Sequence, residues 1–371
     1  MYDNLLTACF YFERLSKFYL KNVTVCHIKS LLNSEINYNL ERCVIIMKFR
    51  RLGKTGFEIS EVSLGTWQLG GKWGQPFNEA EAERILLSAY DEGVNFIDTA
   101  DVYNNGMSEK AIGKFLRSKK DKIYVATKAG RRLSPHTASG YNESNIRGFV
   151  EDSLKNMGVD KIDLLQLHCP PTDVYYHPEV FGALDMLKAE GKIQHYGVSV
   201  QRVEEAIKAT TYEGVSTVQI IFNMFRLRPC ELFFPIAKKN DIGVIVRVPL
   251  ASGLLTGKFD ANTEFGKDDH RYFNREGKTF DKGETFSGVN YNVGLKAVDE
   301  LKEVFPNLPE SALKYILMFD EVSCVIPGAS NAEQAARNFA VSEFPPILNA
   351  DMQKVSAIYD KYIKDPVHYI W

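Results

Sequence analysis

Paired or regularly spaced cysteines are missing from this chain. Its six (Cys9, Cys26, Cys43, Cys169, Cys230 and Cys324) are scattered without a CxxC pair. That excludes the usual disulfide frameworks and thiolate metal sites, and it suits free thiols in a reducing compartment. No apolar run approaches the ~20 residues that a membrane-spanning helix needs. No leader with a basic start and a small-residue cleavage site is visible, so a cytoplasmic location is expected. Charge of one sign is lacking too. Lys and Arg number 45 against 47 Asp and Glu, a net charge of -2, with no basic stripe. Nucleic acid and anionic membrane are therefore not expected partners.

What is present is ordinary soluble composition over 371 residues, 45% of them apolar and 25% charged. Residues 1–46 stand apart, with leucines and aromatics in no sustained period. We expect them to be an N-terminal extension upstream of a true start at Met47, and residues 47–371 to form one domain.

From Met47 the chain opens with a hairpin, Lys48 to Leu52 and Phe57 to Val62, around Lys54-Thr55-Gly56. Eight strand–helix units follow, starting at Val62, Asn95, Ile123, Ile162, His195, Thr217, Gly243 and Val322. The strands are nearly continuous apolar runs, as strands buried on both faces are. Strict alternation of strand and helix implies parallel strands with helical crossovers. Eight units favour a closed (β/α)8 TIM barrel with an N-terminal β-hairpin. The long loop after strand 7, Ala251 to Asn292, is too long for a connector and suggests a lid.

In such barrels the active site lies at the C-terminal ends of the strands. Those ends carry Asp98, with Tyr103 on the loop behind it, then Lys128, then His168. A helix is expected to open behind Ser108 or an Asn as N-cap. Each residue alone has a plain structural reading; together, on consecutive strands, they suit carbonyl reduction. A tyrosine phenol, with an unperturbed pKa of about 10, keeps its proton at neutral pH and can give it to a developing alkoxide. A lysine beside it is expected to lower that pKa, with Asp98 pairing the lysine and His168 orienting the carbonyl. The hydride source should be a nicotinamide, yet no GxGxxG stands in the sequence. Gly65-Thr66-Trp67-Gln68-Leu69-Gly70-Gly71-Lys72 fits neither that pattern nor a P-loop. The turn Ile326-Pro327-Gly328-Ala329-Ser330-Asn331, leading from a strand into a helix N-terminus, is the better phosphate candidate.

Several separated motifs carry a family resemblance: Leu52-Gly53-Lys54-Thr55-Gly56; Phe96-Ile97-Asp98-Thr99-Ala100 with Tyr103 and Gly106-Ser108-Glu109; Ala126-Thr127-Lys128; Leu164 to His168; Gly197-Val198-Ser199; Pro249-Leu250-Ala251-Ser252-Gly253-Leu254-Leu255-Thr256-Gly257-Lys258; and Ile326 to Ala329 with Gln334 and Asn338. In order and spacing they resemble the aldo-keto reductase superfamily, nearest its bacterial stress-protein-like and potassium-channel-β-like branch. The resemblance implies a catalytic tetrad of Asp98, Tyr103, Lys128 and His168, and a small carbonyl substrate. It places the carboxamide-holding positions on Ser199, Val200 and Gln219. Val200 departs from the usual Asn, and Arg247 stands where the family has a ring-stacking aromatic. Thr66 and Trp67 fall at the cofactor's edge, Leu250, Ser252, Gly253, Leu254 and Lys258 along its pyrophosphate, and Ile326, Gly328, Ser330, Gln334, Arg337 and Asn338 at its adenine end. NADPH is the implied cofactor. The uncharged Gly328, Ser330 and Gln334 leave NADH use open. No metal is called for.

On the substrate side, Trp67, Trp73 and Tyr103 offer an aromatic wall, with Tyr175, Tyr176 and His177 on the loop after strand four. Arg131 and Arg132 would attract an anionic substrate, but a solvated loop is the plainer reading. Two other functions fit less well: a nicotinamide-binding regulatory protein with little turnover, and a Schiff-base enzyme using Lys128. Oligomeric state is not legible.

Overall fold

The computed structural model describes residues 47–71 and 76–371. The expected extension, the Met47 boundary and Trp73 therefore involve positions outside the described residues.

Strands β1 (Phe49–Arg51) and β2 (Glu58–Ser60) form the antiparallel hairpin. Eight strands then follow: β3 (Leu64–Gly65), β4 (Phe96–Asp98), β5 (Tyr124–Ala129), β6 (Ile162–His168), β7 (Ile193–Ser199), β8 (Val215–Ile221), β9 (Gly243–Arg247) and β10 (Val322–Val325). They pair in chain order, each parallel to the next. The ring closes between β3 and β10. Ser63 N–H donates to Val325 O at 2.9 Å, Val325 N–H to Glu61 O at 2.9 Å, and Gly65 N–H to Pro327 O at 3.1 Å. A side chain at Gly65 would sit 2.6 Å from the Ile326 carbonyl, so this seam requires glycine. The expected barrel is the barrel found.

The helices wrap the ring. They are α1 (Glu79–Asp91), α2 (Met107–Arg117), α3 (Glu143–Met157), α4 (Pro178–Ala189), α5 (Val203–Ala209) and α6 (Phe233–Lys239). The series continues with α7 (His270–Phe273), α8 (Tyr291–Val304), α9 (Leu308–Leu317), α10 (Ala332–Ala340), α11 (Asn349–Tyr362) and α12 (Lys364–Val367). In α1 the Asn78 side chain accepts from Glu81 N–H, and Ala82, Ile85, Leu86 and Ala89 are buried, the face that helical spacing marks out. Among the described residues no helix is long and apolar enough to cross a membrane. The described cysteines, Cys169, Cys230 and Cys324, are free thiols.

Two apolar cores result. The larger lies between strands and helices. The smaller fills the inside of the ring with Phe96, Ala126, Leu164, Ile245, Cys324 and Ile326, and the hairpin residues Leu52, Phe57 and Ile59 plug it from below. Because strand side chains alternate with period two, the residues two positions on from Phe96, Ala126 and Leu164 share their inward face. Those residues are Asp98, Lys128 and Gln166. A polar layer thus sits on a dry apolar plug, and the site begins there.

The segment after β9 folds as short turns around α7 and reaches across the mouth, where the His270 ring meets the Trp67 ring edge-on at 4.7 Å. It is held from beneath as well. The buried Arg226 donates to Gly283 O and Ser287 O, both at 3.3 Å, and lies 4.3 Å over the Trp371 ring, whose Nε1–H donates to Asp281.

Candidate active site

Lys128 is the centre of the polar layer. Its Nζ donates to Asp98 Oδ1 at 2.5 Å and to Thr99 O at 2.9 Å, and lies 3.4 Å from the Tyr103 hydroxyl. Both Lys128 and Asp98 are almost fully buried. The other Asp98 oxygen accepts from Gln219 at 2.7 Å and from Gln166 at 3.1 Å. Every oxygen and proton of the pair is thus engaged, the condition on which a buried ion pair persists. Burial works to lower the Lys128 pKa, but Asp98 and Tyr103 outweigh it and leave it raised, so the lysine stays an ammonium.

Tyr103 begins a tight turn in which Asn104 and Asn105 take left-handed backbone angles (φ 47 and 52). Helix α2 then starts after Gly106, at φ 80, rather than behind Ser108. The Ser108 hydroxyl is turned inward to Thr99 Oγ1 (2.9 Å) and Thr66 Oγ1 (3.0 Å), locking the turn to β3 and β4. The Tyr103 pKa is raised, because burial exceeds the opposing pull of Lys128. The expectation of a lowered phenol is corrected here: the ammonium acts in the expected direction, but the dry site acts more strongly. Tyr103 therefore keeps its proton at neutral pH.

His168 ends β6, its ring 6.0 Å from that of Tyr103 and nearly perpendicular to it. Its buried Nδ1 has no hydrogen-bond partner among the described residues. Burial, with Arg131, Lys128 and Arg247 nearby, holds the imidazole well below its usual range, so it is neutral. All four candidate catalytic residues therefore meet at one mouth. Gln166 joins them although sequence reasoning passed over it. Its signal was a polar residue two positions before His168, on the same face of the strand and between leucines.

The candidate cofactor residues line the rim on both sides of the seam. Thr66 Oγ1 donates to Asp98 O at 2.9 Å, and Ser199 Oγ donates to Gln219 Oε1 at 3.3 Å. Past β9 the backbone is left-handed at Val248, Ala251, Ser252 and Gly253 (φ 53, 46, 55 and 93). Strain of this kind, ~1–3 kcal/mol per non-glycine residue, clusters where ligands are held. The Ser252 hydroxyl donates to Glu284 O at 2.9 Å and accepts from Phe286 N–H, tying this turn to the covering loop. At the far end Ser330 Oγ donates to Gln334 Oε1 at 2.9 Å, and Asn338 donates to Gly328 O at 3.2 Å. Lys258 and Arg337 are exposed.

Arg247 does not lie open for stacking alone. Its Nη2 donates to Val200 O and Gln201 Oε1, both at 3.0 Å, and lies 3.5 Å from Cys169 Sγ. The plainer reading of Arg131 as a solvated loop residue is overturned. Its Nη2 meets Glu284 Oε1 of the covering loop at 2.5 Å, and its side chain is 20% exposed. Arg132 pairs with Asp152 at the surface.

The cleft above Tyr103 is a volume of about 170 Å³ lined by Trp67, Tyr103, Asn104, His270 and Arg271, among others. Trp67 and Tyr103 thus take the expected places. Tyr175, Tyr176 and His177 lie on the loop after β6 as expected but do not line this cleft: Tyr175 is buried in the core, Tyr176 is exposed with Lys208 Nζ 5.3 Å over its ring, and His177 pairs with Glu179.

Asp101 was not anticipated. It is buried just before the Tyr103 turn, neither carboxylate oxygen has a hydrogen-bond partner among the described residues, and the Arg132 guanidinium is 3.9 Å away. Burial first, and then the Glu109 carboxylate, push its pKa up to about 7. The folded chain therefore holds a proton that the unfolded chain, with a carboxyl near ~3.9, gives up. Stability should fall as pH rises from about 4 through 7, a swing of about 4 kcal/mol from this group. Asp101→Asn is expected to flatten urea-denaturation stability over that window and to exceed the parent at pH 8. An unchanged slope would show Asp101 ionised throughout.

Residues 61–360 match the model of the aldo/keto reductase family. The aldo-keto reductase YhdN of Bacillus subtilis is 31% identical over 336 residues, covering 86% of this chain and 96% of that protein. The NADH-specific methylglyoxal reductase of Escherichia coli is 28% identical over 319 residues, 79% of this chain and 93% of that protein. Among solved structures, the holo form of an aldo-keto reductase from Bacillus halodurans superposes with a TM-score of 0.69 at 28% identity, covering 87% of this chain and 99% of that one.

Proposed function

Because the chain belongs to the aldo/keto reductase family, an oxidoreductase family, we propose that it reduces an aldehyde or ketone to the alcohol, with Tyr103 as the proton donor. The observation that carries this is the buried Lys128 ammonium, bonded to Asp98 at 2.5 Å and lying 3.4 Å from the Tyr103 hydroxyl.

The cofactor reading is supported by the strained turn at Val248–Gly253, by its tie to the covering loop through Ser252, and by a polar rim running from Thr66 and Ser199 round to Ser330 and Asn338. Leu250, Ser252, Gly253, Leu254 and Lys258 would hold the pyrophosphate of a nicotinamide dinucleotide. Ser199 and Gln219 would hold its carboxamide, Arg247 its ring, and Ile326, Gly328, Ser330, Gln334, Arg337 and Asn338 its adenine end. When bound, NADPH or NADH supplies the hydride that reaches the carbonyl carbon.

The chain's own part is proton chemistry and orientation. Neutral His168 hydrogen-bonds the carbonyl oxygen and orients it. As that oxygen gains negative charge, Tyr103 gives it the phenolic proton and the alcohol forms. The phenolate left behind faces the Lys128 ammonium, which stabilises it until solvent restores the proton. Asp98, held by Gln166 and Gln219, keeps Lys128 in place. Trp67 and the His270 side of the covering loop shield the site, and low water content strengthens each of these charge interactions.

The uncharged adenine-end positions leave Arg337 and Lys258 as the cations for a 2′-phosphate. The E. coli relative named NADH-specific keeps NADH as an alternative to NADPH. Steady-state assays of both cofactors with simple aldehydes, sugars and quinone-like carbonyls test the proposal at once. Consumption of either cofactor with alcohol formation is expected. Tight cofactor binding without turnover across the panel would replace it with a regulatory role.

A further inference from the structure

Five ionised side chains meet at the mouth, and their charges do not cancel. Arg131, Arg247 and Lys128 are cations, while Asp98 and Glu284 are the carboxylates that face them. Neutral His168 adds nothing. One positive charge is left over in a largely buried place, where an uncompensated ion is costly. The excess falls on the two arginines, because Lys128 and Asp98 close on each other. Arg247 also has a buried Nε with no hydrogen-bond partner among the described residues. The neighbouring arginines are already matched, Arg132 with Asp152 and Arg271 with Asp269.

The pocket's strength as an anion holder is visible in Glu284. Burial would raise its pKa, yet Arg131 and Arg247, helped by hydrogen bonds from Gln201 and Arg131, hold it at about 2. This carboxylate rides on the covering loop, not on the barrel. Side-chain exposure separates the cluster from the catalytic pair: 20% for Arg131, 16% for Glu284 and 11% for Arg247, against 1–2% for Lys128 and Asp98. The cluster thus keeps partial access to solvent, and the catalytic pair has almost none. The cluster also adjoins the reacting site, since Arg247 touches Cys169, the residue after His168, and Arg131 follows Lys128 by three residues.

We infer that Arg131, Arg247 and Gln201 form a binding site for an anionic group of the substrate, so that the favoured carbonyl compound carries a carboxylate or a phosphate. The inference rests on the carbonyl-reduction reading for where the substrate sits. Two guanidinium forks and an amide suit the paired oxygens of either group. Glu284 is the internal carboxylate with which the substrate shares the site.

Two matched pairs test this: benzaldehyde with 4-carboxybenzaldehyde, and glyceraldehyde with glyceraldehyde 3-phosphate. In the parent chain the anionic member of one pair should have the higher kcat/KM by ~10- to 100-fold, the worth of a hydrogen bond to a charged group. Which pair shows it separates carboxylate from phosphate. In Arg131→Gln that ratio should fall towards one, whatever happens to the neutral aldehyde, and in Glu284→Gln it should rise. Equal kcat/KM within both pairs of the parent chain overturns the site. So does a loss of NADPH affinity in Arg131→Gln, by fluorescence titration, as large as the loss in ratio, since the cations would then serve the cofactor. No NADPH consumption with any of the four compounds would instead fail the reduction reading. Calorimetry of 4-carboxybenzaldehyde against benzaldehyde then decides the site alone, tighter binding of the anion supporting it and equal binding overturning it.

Discussion

Tyr103→Phe is expected to lower carbonyl turnover by ~10²–10⁴-fold, the usual worth of a positioned general acid, while NADPH binds as before. The substitution removes one oxygen and leaves the ring that packs edge-on to His168 at 6.0 Å. Lys128 loses only its longest contact, at 3.4 Å, and keeps Asp98 and Thr99. The fold and the rim should therefore be undisturbed, and the loss should appear in kcat. Single-turnover absorbance at the nicotinamide band, with fluorescence titration of the cofactor, checks both halves. Turnover within a few-fold of the parent would remove Tyr103 from the role of acid.

Lys128→Met should be the most damaging single change, and in two separable ways. Removing one member of a buried ion pair costs ~3–5 kcal/mol, since it strands the other charge. Here Asp98 would keep Gln166 and Gln219 on one oxygen and lose the Lys128 hydrogen bond on the other. The urea midpoint should drop accordingly. Adding Asp98→Asn removes the stranded charge, so the double variant should regain much of the stability and none of the turnover. If the double variant were as unstable as the single one, the loss would belong to packing and not to charge.

The tetrad was legible because barrel strands repeat one geometry. A strand's last inward residue lies at the mouth wherever the strand falls, so Asp98, Lys128 and His168 could be placed from the end of each apolar run. Gln166 was equally available by the period-two rule, and the apolar run around it drew attention away. The covering loop was another matter. Its length marked it as a lid, but Glu284 reaches Arg131 across irregular backbone that has no period to count. Tyr175 looked like cleft lining because its loop leaves the right strand end, yet a turn carries its ring into the core. Arg131 and Asp101 show the same limit. Burial of a charged side chain depends on what folds over it, and local sequence does not carry that.

The seam between β3 and β10 also bears on how the molecule comes into being. Neighbours in the ring from β3 to β10 are neighbours in sequence, so each strand can pair as soon as the next crossover helix has folded. The seam joins the first of these strands to the last, and its loop-closure entropy is the largest in the ring. During synthesis the strands bearing Asp98, Lys128 and His168 can assemble while β10 is still unmade. The candidate catalytic residues thus lie on strands whose pairing is local in sequence. The rim around Gly65 and Gly328 waits for the longest-range contact of the ring, so the proposed nucleotide site would be the last part of the molecule to be completed.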